Sequence, residues 1–290
     1  MICRLCPRNC GAERTADKAG GVCAMPALPV AAKAMLHQWE EPCLVGDHGA
    51  GCVFFSGCNL RCCFCQNGVI SQAGFGKPLT VPELWAVFRS LVDQGAACLD
   101  LVTPTHFTPA IAEALGDELW PVPVVWNSGG YEKPETLRLL EGKVQVYLPD
   151  LKYALPGPAK HYSAAADYFD WASAAILEMF RQTGPCVMEN GRLKRGVLIR
   201  HLLLPGELEN TRRCIDWVAE TFAPGQVLFS LMSQYTPQRG AEGNLRRQVT
   251  KAEYRAAVQY MENCGVTDGY TQERTSAREE YTPAFDLSGL

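Results

Sequence analysis

The sequence predicts an α/β fold, a partial (β/α)6 barrel preceded by a small cysteine-rich, metal-binding appendage. Three observations lead there. From Gly51 to Cys264, short apolar runs alternate six times with segments of helical period, and repeated strand and helix pairs imply parallel strands with right-handed crossovers. Two of the helical segments open with capping boxes, Thr80-x-x-Glu83 and Thr250-x-x-Glu253. Cysteines gather in two places, at the N-terminus and just after the first apolar run. The expected division is residues 1–50 as appendage and connector, 51–266 as barrel, and 267–290 as a tail packing on the barrel.

The elements follow in order. Within the connector from Pro26 to Pro42 a short helix is expected around Val30 to Gln38, with His37 on the surface. Val53 to Ser56 is the first strand. Its helix, Val81 to Gln94, has Pro82 in the first turn, stops at Gly95, and carries the apolar stripe Leu84, Val87, Phe88 and Leu91. Cys98 to Val102 is the second strand, with a helix from Pro109. The third, Val122 to Trp126, precedes a helix near Pro134 to Leu140. Val144 to Leu148 is the fourth, followed by a long helix from Ala164 to Gln182. Strand five, Val197 to Leu204, ends at Pro205-Gly206 before a helix from Thr211 to Phe222. Strand six, Val227 to Met232, leads to a helix from Lys251 to Cys264, striped by Tyr254, Ala257, Val258 and Met261. In the tail, Tyr281, Pro283 and Phe285 are expected to dock on the barrel.

Composition narrows the class. With 290 residues and 47% hydrophobic content, a large core is available. A net charge of -4 gives no basic footprint, so nucleic acid is not an expected partner. No long apolar run or signal-peptide pattern stands out, and a soluble cytoplasmic protein without a membrane partner is the expectation. The 14 cysteines then read as metal ligands and core thiols in a reducing compartment, not as disulfides.

The stretch from Gly57 to Cys65 reads Gly-Cys-Asn-Leu-Arg-Cys-Cys-Phe-Cys. Cys58, Cys62 and Cys65 form a C-x3-C-x2-C spacing that puts three thiolates on one loop. Iron-sulfur clusters normally take four cysteines, so three suit a 4Fe-4S cubane with one iron open to a small molecule. A structural zinc site is closed and four-coordinate; here it would need a further ligand from Cys63, Cys52, His48 or elsewhere. Cys63 reads as a small buried side chain. The N-terminal group, Cys3, Cys6, Cys10 and Cys23, is a complete four-thiolate set. It can close a zinc site or hold a second cluster, and a structural metal is the preferred reading because so short an appendage has little core of its own.

Function in a βα barrel gathers where strands end. Those positions here are Thr103-Pro104-Thr105-His106, Asn127-Ser128-Gly129-Gly130, Asp150-Leu151-Lys152, Arg200 and Ser233-Gln234-Tyr235. Alternation puts Asp150 and Lys152 on one side of an extended chain and sets Arg200 opposite to His201. Arg200 can clamp a carboxylate with two donors. His201 reads equally as a satisfied structural residue, and Tyr235 as a packed aromatic. For Asp150 and Lys152 an ordinary rim salt bridge is the plain alternative.

The cysteine spacing resembles the signature of the radical S-adenosylmethionine (radical SAM) enzymes, and Phe64 matches the aromatic that lies near the adenine in them. The resemblance implies that SAM chelates the open iron and is cleaved to a 5'-deoxyadenosyl radical, with electrons from a flavodoxin or ferredoxin. It also implies that Asn127, Asp150, Lys152 and Arg200 hold polar groups of SAM. Where many relatives carry a Gly-Gly-Glu type segment for the SAM amine, this chain has Thr103 to His106, whose Thr105 and His106 offer polar groups instead. Together with Asp150-Leu151-Lys152 and Arg200 to Gly206, the loop resembles the pyruvate formate-lyase activating enzyme. In that family the radical takes hydrogen from a backbone glycine of a glycyl radical enzyme. The N-terminal Cys-x2-Cys-Pro segment is similar to that of uncharacterised relatives, which leaves two alternatives open: a radical SAM enzyme acting on another protein or small molecule, and a non-enzymatic iron-sulfur or zinc scaffold.

Overall fold

The computed structural model describes residues 2–238, 240–272 and 283–290. Its chain runs β1 (Val30–His37), α1 (Pro42–Val45), β2 (Ala50–Phe55), α2 (Gly68–Ser71), β3 (Lys77–Pro78), α3 (Val81–Asp93), β4 (Leu99–Val102), α4 (Thr108–Leu115), β5 (Val124–Ser128) and α5 (Pro134–Leu137). It continues with β6 (Val146–Pro149), α6 (Pro156–Ser163), α7 (Tyr168–Thr183), β7 (Val187–Glu189), β8 (Arg192–Leu202), α8 (Leu208–Thr221), β9 (Leu228–Met232), α9 (Lys251–Asn263) and β10 (Gly269–Thr271). The strands lie in the order β10-β9-β8-β6-β5-β4-β2-β1-β3, with β7 paired to β8. From β2 to β10 every neighbour in that order is parallel, while β1 joins β2 antiparallel. The sheet is therefore open, and it curls. One cavity is walled both by His37 and Phe54 near one edge and by Met232 and Tyr270 near the other.

Alternation sorts the strand residues into two layers. Val53, Phe55, Leu99, Leu101, Val124, Trp126, Tyr147, Val197 and Ile199 pack with the helices. Cys52, Phe54, Val102, Val125, Val146, Leu148 and Leu198 turn to the concave side. Asp100, Asn127 and Arg200 share the parity of that second set, so the same pleat carries polar groups inward. In α3 the expected stripe of Leu84, Val87, Phe88 and Leu91 is buried.

Four expectations need correction. Val30 to Gln38 is not helical: β1 pairs along β2 from Ala31↔Phe55 to His37↔Ala50, and Ala31 and Ala32 are fully buried. Sheet pairing outweighs the alanine-rich helix propensity. His37 is accordingly buried, with its ring edge-on to Phe54 at 5.9 Å. The helix expected from Ala164 starts only at Tyr168, as α7, and a separate helix, α6, precedes it and ends where Ala164 adopts a left-handed φ of 47°; the prolines of Pro156-Gly157-Pro158 occupy a first turn that tolerates them. Strand five starts earlier, since Asn190-Gly191 at φ 51° and 75° turns a hairpin between β7 and β8. In the tail, Phe285 contacts Phe54 at 5.7 Å and the backbone of residues 287–288 bonds to Ala32 and Ala34. Tyr281 lies outside the described residues.

Both capping boxes form. In the second, Glu253 also accepts the backbone N–H of Gly206 at 2.8 Å and both Arg247 guanidinium nitrogens at 2.7 Å. These bonds tie α9 to the turn after β8, and the Arg247 pair holds the Glu253 carboxyl well below the usual carboxylate range. Glu253→Gln should cost about 2 kcal/mol of unfolding free energy at neutral pH. A depressed folded value means that this stability is complete above the unfolded carboxylate pKa and is lost as pH falls. Urea titrations at descending pH should therefore show the gap between wild type and Glu253→Gln closing in acid.

Candidate active site

The loop from Gly57 to Cys65 leaves the C-terminal end of β2. Gly57 turns it at φ 78°, where a Cβ would lie 2.8 Å from the Cys23 carbonyl oxygen, so the sharp departure needs glycine. The backbone beyond is clamped from outside: Arg8 donates Nε to the Asn59 carbonyl at 2.8 Å, and Asn59 Nδ2 donates to the Tyr131 carbonyl at 2.7 Å. Each of the three sulfurs receives a donor. Ser163 Oγ points at Cys62 Sγ (3.0 Å), Ser71 Oγ at Cys65 Sγ (3.3 Å), and the Leu60 N–H at Cys58 Sγ (3.4 Å). Burial pushes the Cys58 thiol up to about 12, with the nearby Cys62 adding to the shift. Thiolates here need a positive partner, and sulfurs that accept hydrogen bonds in a partly desolvated loop suit an iron-sulfur cluster. Cys63 does not behave as expected. It is exposed, its backbone N–H bonded to the Tyr162 carbonyl, because the loop turns the intervening side chain outward.

Beside the loop lies a chain of polar groups across four strand ends. Lys152 Nζ meets Asp150 Oδ2 at 2.5 Å, and Arg200 Nε meets Asp150 Oδ1 at 3.1 Å. Arg200 also donates to Asn127 Oδ1 (2.5 Å), whose Nδ2 donates to Asp100 Oδ2 (3.2 Å). Burial opposes ionisation of Asp150, yet Lys152 and Arg200 hold its carboxyl below the ordinary value. Burial likewise opposes the Lys152 charge, and Asp150 and then Cys62 lift it above the ordinary range. The coupling to Cys62 sets the ammonium next to the cysteine loop. The salt-bridge reading is thus realised, at side chains only 14–19% exposed.

The other residues singled out from the sequence have these partners. Thr105 donates to Glu132, and His106 Nε2 sits 2.7 Å from the Ser56 carbonyl, its basicity lowered to about 3 by burial. His201 is structural, bridging the Leu151 carbonyl and Thr211. Tyr235 is packed, donating to the Leu245 carbonyl. Phe64 is wedged between the rings of Tyr162 and Tyr235 at 6.0 and 6.5 Å. Ser233 bonds to the Gln272 carbonyl.

The structure adds residues that the sequence did not announce. A cavity of about 530 Å³ opens between the sheet edges, bordered by Glu40, Gln66, Asn127, Arg200 and Gln234. Glu40, Cys52 and Asp100 bring donor atoms within 4.8 Å of one another at its foot. Burial, and then the facing Asp100, raise the Glu40 carboxyl well above the usual range. Its other neighbour is Arg200, at 3.6 Å. No sequence signal marks Glu40, because it lies in the segment after β1 that folds under the sheet. Ser163 and Tyr153, which serve Cys62 from a distance in sequence, are equally silent.

No family model matches the chain. It is similar to the uncharacterized protein MJ0674 of Methanocaldococcus jannaschii, at 28% identity over 272 residues, 90% of this chain and 74% of the relative. Among solved structures it is similar to a mutant of spore photoproduct lyase (TM-score 0.49, 11% identity, 74% of this chain and 72% of that one). It is also similar to methylornithine synthase, PylB (TM-score 0.49, 14% identity, 74% and 68%).

The turn after β5 carries a stringent packing condition. Gly130 has φ 75°, and a Cβ there would run into the Asp150 carbonyl oxygen. At Gly129 a Cβ would meet Leu60 Cδ1 at 2.9 Å, the movable end of a side chain. Gly130→Ala should therefore destabilise by about 2–3 kcal/mol and Gly129→Ala by clearly less. Chemical denaturation of the two variants checks this ranking, and equal losses would contradict it.

Proposed function

We propose that this chain is a radical SAM enzyme, with Cys58, Cys62 and Cys65 holding a 4Fe-4S cluster whose fourth iron takes SAM. The observation that carries the reading is three sulfurs on one loop, each with a hydrogen-bond donor, placed beside Lys152 at the rim where Asn127, Asp150 and Arg200 converge. The chemistry that such a cluster supplies with SAM is one-electron cleavage of the sulfonium to methionine and a 5'-deoxyadenosyl radical.

The chain's own residues bind and orient. Lys152 and Arg200 are fixed cations suited to the SAM carboxylate. Asp150 has one cation on each oxygen and retains lone pairs for ribose hydroxyls or the SAM ammonium. Asn127 is locked between Arg200 and Asp100, so its orientation is set before anything binds. The neighbouring cavity gives a radical a place partly removed from water. The finer reading is hydrogen abstraction from a backbone glycine of a partner enzyme, with a reduced flavodoxin or ferredoxin as electron source, which rests on the sequence resemblance alone; a separate metal at Cys3, Cys6, Cys10 and Cys23 rests on their four-thiolate spacing.

Anaerobic protein incubated with SAM and dithionite should release 5'-deoxyadenosine, and the Cys58→Ala/Cys62→Ala/Cys65→Ala variant should release none and lose the SAM-sensitive EPR signal. Asp150→Ala and Arg200→Ala should retain the cluster and bind SAM about 10- to 100-fold more weakly, the loss of one buried charge-assisted bond. Isothermal titration with SAM measures this. Unchanged affinity in both variants would reduce these residues to a structural salt bridge.

A further inference from the structure

We propose that Cys3, Cys6, Cys10 and Cys23 hold a second 4Fe-4S cluster that relays single electrons from an external protein donor to the cluster at Cys58, Cys62 and Cys65. The proposal rests on the reading of the three-cysteine loop given above. The fold gathers the four thiols. The Cys3 N–H donates to the Ala12 carbonyl at 2.9 Å, the Gly20 N–H to the Met25 carbonyl at 3.1 Å, and Cys23 Sγ lies 3.7 Å from the Gly20 carbonyl, which folds the segment back on itself. Gly21 closes over the group so tightly that a Cβ there would lie 2.7 Å from Cys10 Sγ.

Their spacing favours a cluster over zinc. Four thiolates 2.3 Å from one zinc ion stand about 3.8 Å apart in a tetrahedron. Among the described residues, the three-ligand group with donor atoms all within 4.8 Å of one another is Glu40, Cys52 and Asp100; no three of the N-terminal sulfurs meet that condition, and neither do Cys58, Cys62 and Cys65. A cubane bonds each thiolate to a different iron and so holds its sulfurs wider apart. Independently, the fully buried Arg14 donates NH1 to Cys3 Sγ at 3.3 Å. A guanidinium aimed at a sulfur suits an anionic thiolate-bound cluster, and such contacts tune its potential.

The two groups adjoin. Arg8, two residues past Cys6, holds the carbonyls of Asn59 and Leu60. On the other flank Gly57 packs on the Cys23 carbonyl, and Arg14 NH1 bridges Cys3 Sγ to the His106 carbonyl at 2.9 Å. Gly57 and Asn59, the residues on either side of Cys58, therefore both touch the N-terminal segment. Cys10 is exposed while Cys3, Cys6 and Cys23 are buried, so the N-terminal group reaches solvent at one edge, where a protein donor can approach. The electron count closes: a reduced one-electron donor, a flavodoxin or ferredoxin, is oxidised by one electron, the second cluster is reduced and reoxidised, and the electron ends in the broken carbon–sulfur bond of SAM.

The test is metal analysis and EPR on anaerobically reconstituted full-length protein. Wild type should hold roughly eight irons and eight sulfides, and the Cys58→Ala/Cys62→Ala/Cys65→Ala variant roughly four of each. Zinc, or no metal, in that variant overturns the second cluster. Should the variant fail to fold, the wild-type count decides: about four irons with one zinc overturns the proposal, and eight irons uphold it. Fully reduced wild type should also show spin coupling between two neighbouring clusters, and two uncoupled signals would defeat the relay. Absence of any SAM-sensitive signal from a protein that holds eight irons sinks the underlying radical reading, and the relay with it, an outcome distinct from the loss of N-terminal iron alone.

Discussion

The concave side of the sheet depends on one buried carboxylate, Asp150, held between Lys152 and Arg200. Three ionised groups taken out of water cost several kcal/mol each unless they satisfy one another, and here the pairing is continued through Asn127 to Asp100. The chain of bonds crosses from β8 to β6, β5 and β4, fastening four adjacent strand ends at the rim where the cysteine loop also emerges. Asp150 and Arg200 additionally meet as a parallel bridge in the backbone, with the Leu151 N–H on the Arg200 carbonyl. The side-chain pair thus extends the sheet by one step beyond regular β6. Gly130 is fitted against the same Asp150 carbonyl, so the β5 turn, the β6 end and the β8 arginine form a single packed corner.

That corner is legible in the sequence because it obeys local rules. The period of two in strands puts Asp150 with Lys152, and Arg200 opposite to His201; the structure sends Arg200 to Asp150 and His201 to Thr211 on the helix side. The capping boxes at Thr80 and Thr250 likewise specify their helices without help from the rest of the chain. The departures share a cause. In Val30 to His37 the alanines favour a helix locally, and only the exposed flank of β2, invisible in one dimension, makes a strand of them. Glu40 escapes a linear reading for the same reason. Its raised carboxyl pKa follows from burial and from facing Asp100, a residue on a strand two steps along the sheet. Asn190-Gly191 is a readable hairpin signal, and it is masked because the flanking strand is only three residues long.

The cysteine loop combines both kinds of information. Its ligand spacing is local, and Ser71 in α2 is only six residues from Cys65, but the rest of its environment is assembled from far away: Ser163 from the end of α6, Lys152 from beyond β6, Arg8 from the N-terminal segment. Loops that carry chemistry need such support, since a backbone without regular hydrogen bonding is otherwise mobile. The clamp is reciprocal. Arg8 bonds to Asn59, Ser163 and Ala164, and thereby joins the cysteine loop to the left-handed end of α6, the element that supplies the donor to Cys62.

This arrangement explains why the N-terminal segment cannot be regarded as a detached appendage. With few apolar residues of its own, it is anchored by two arginines whose guanidinium groups bond mainly to backbone carbonyls. Arg14 reaches the carbonyls of Met25, Pro26 and His106, and Arg8 those of the cysteine loop and α6. Arg14 also donates to Cys3 Sγ at 3.3 Å, so one side chain serves both the backbone and a sulfur. A lysine at either position would lack the planar fork that serves several carbonyls at once.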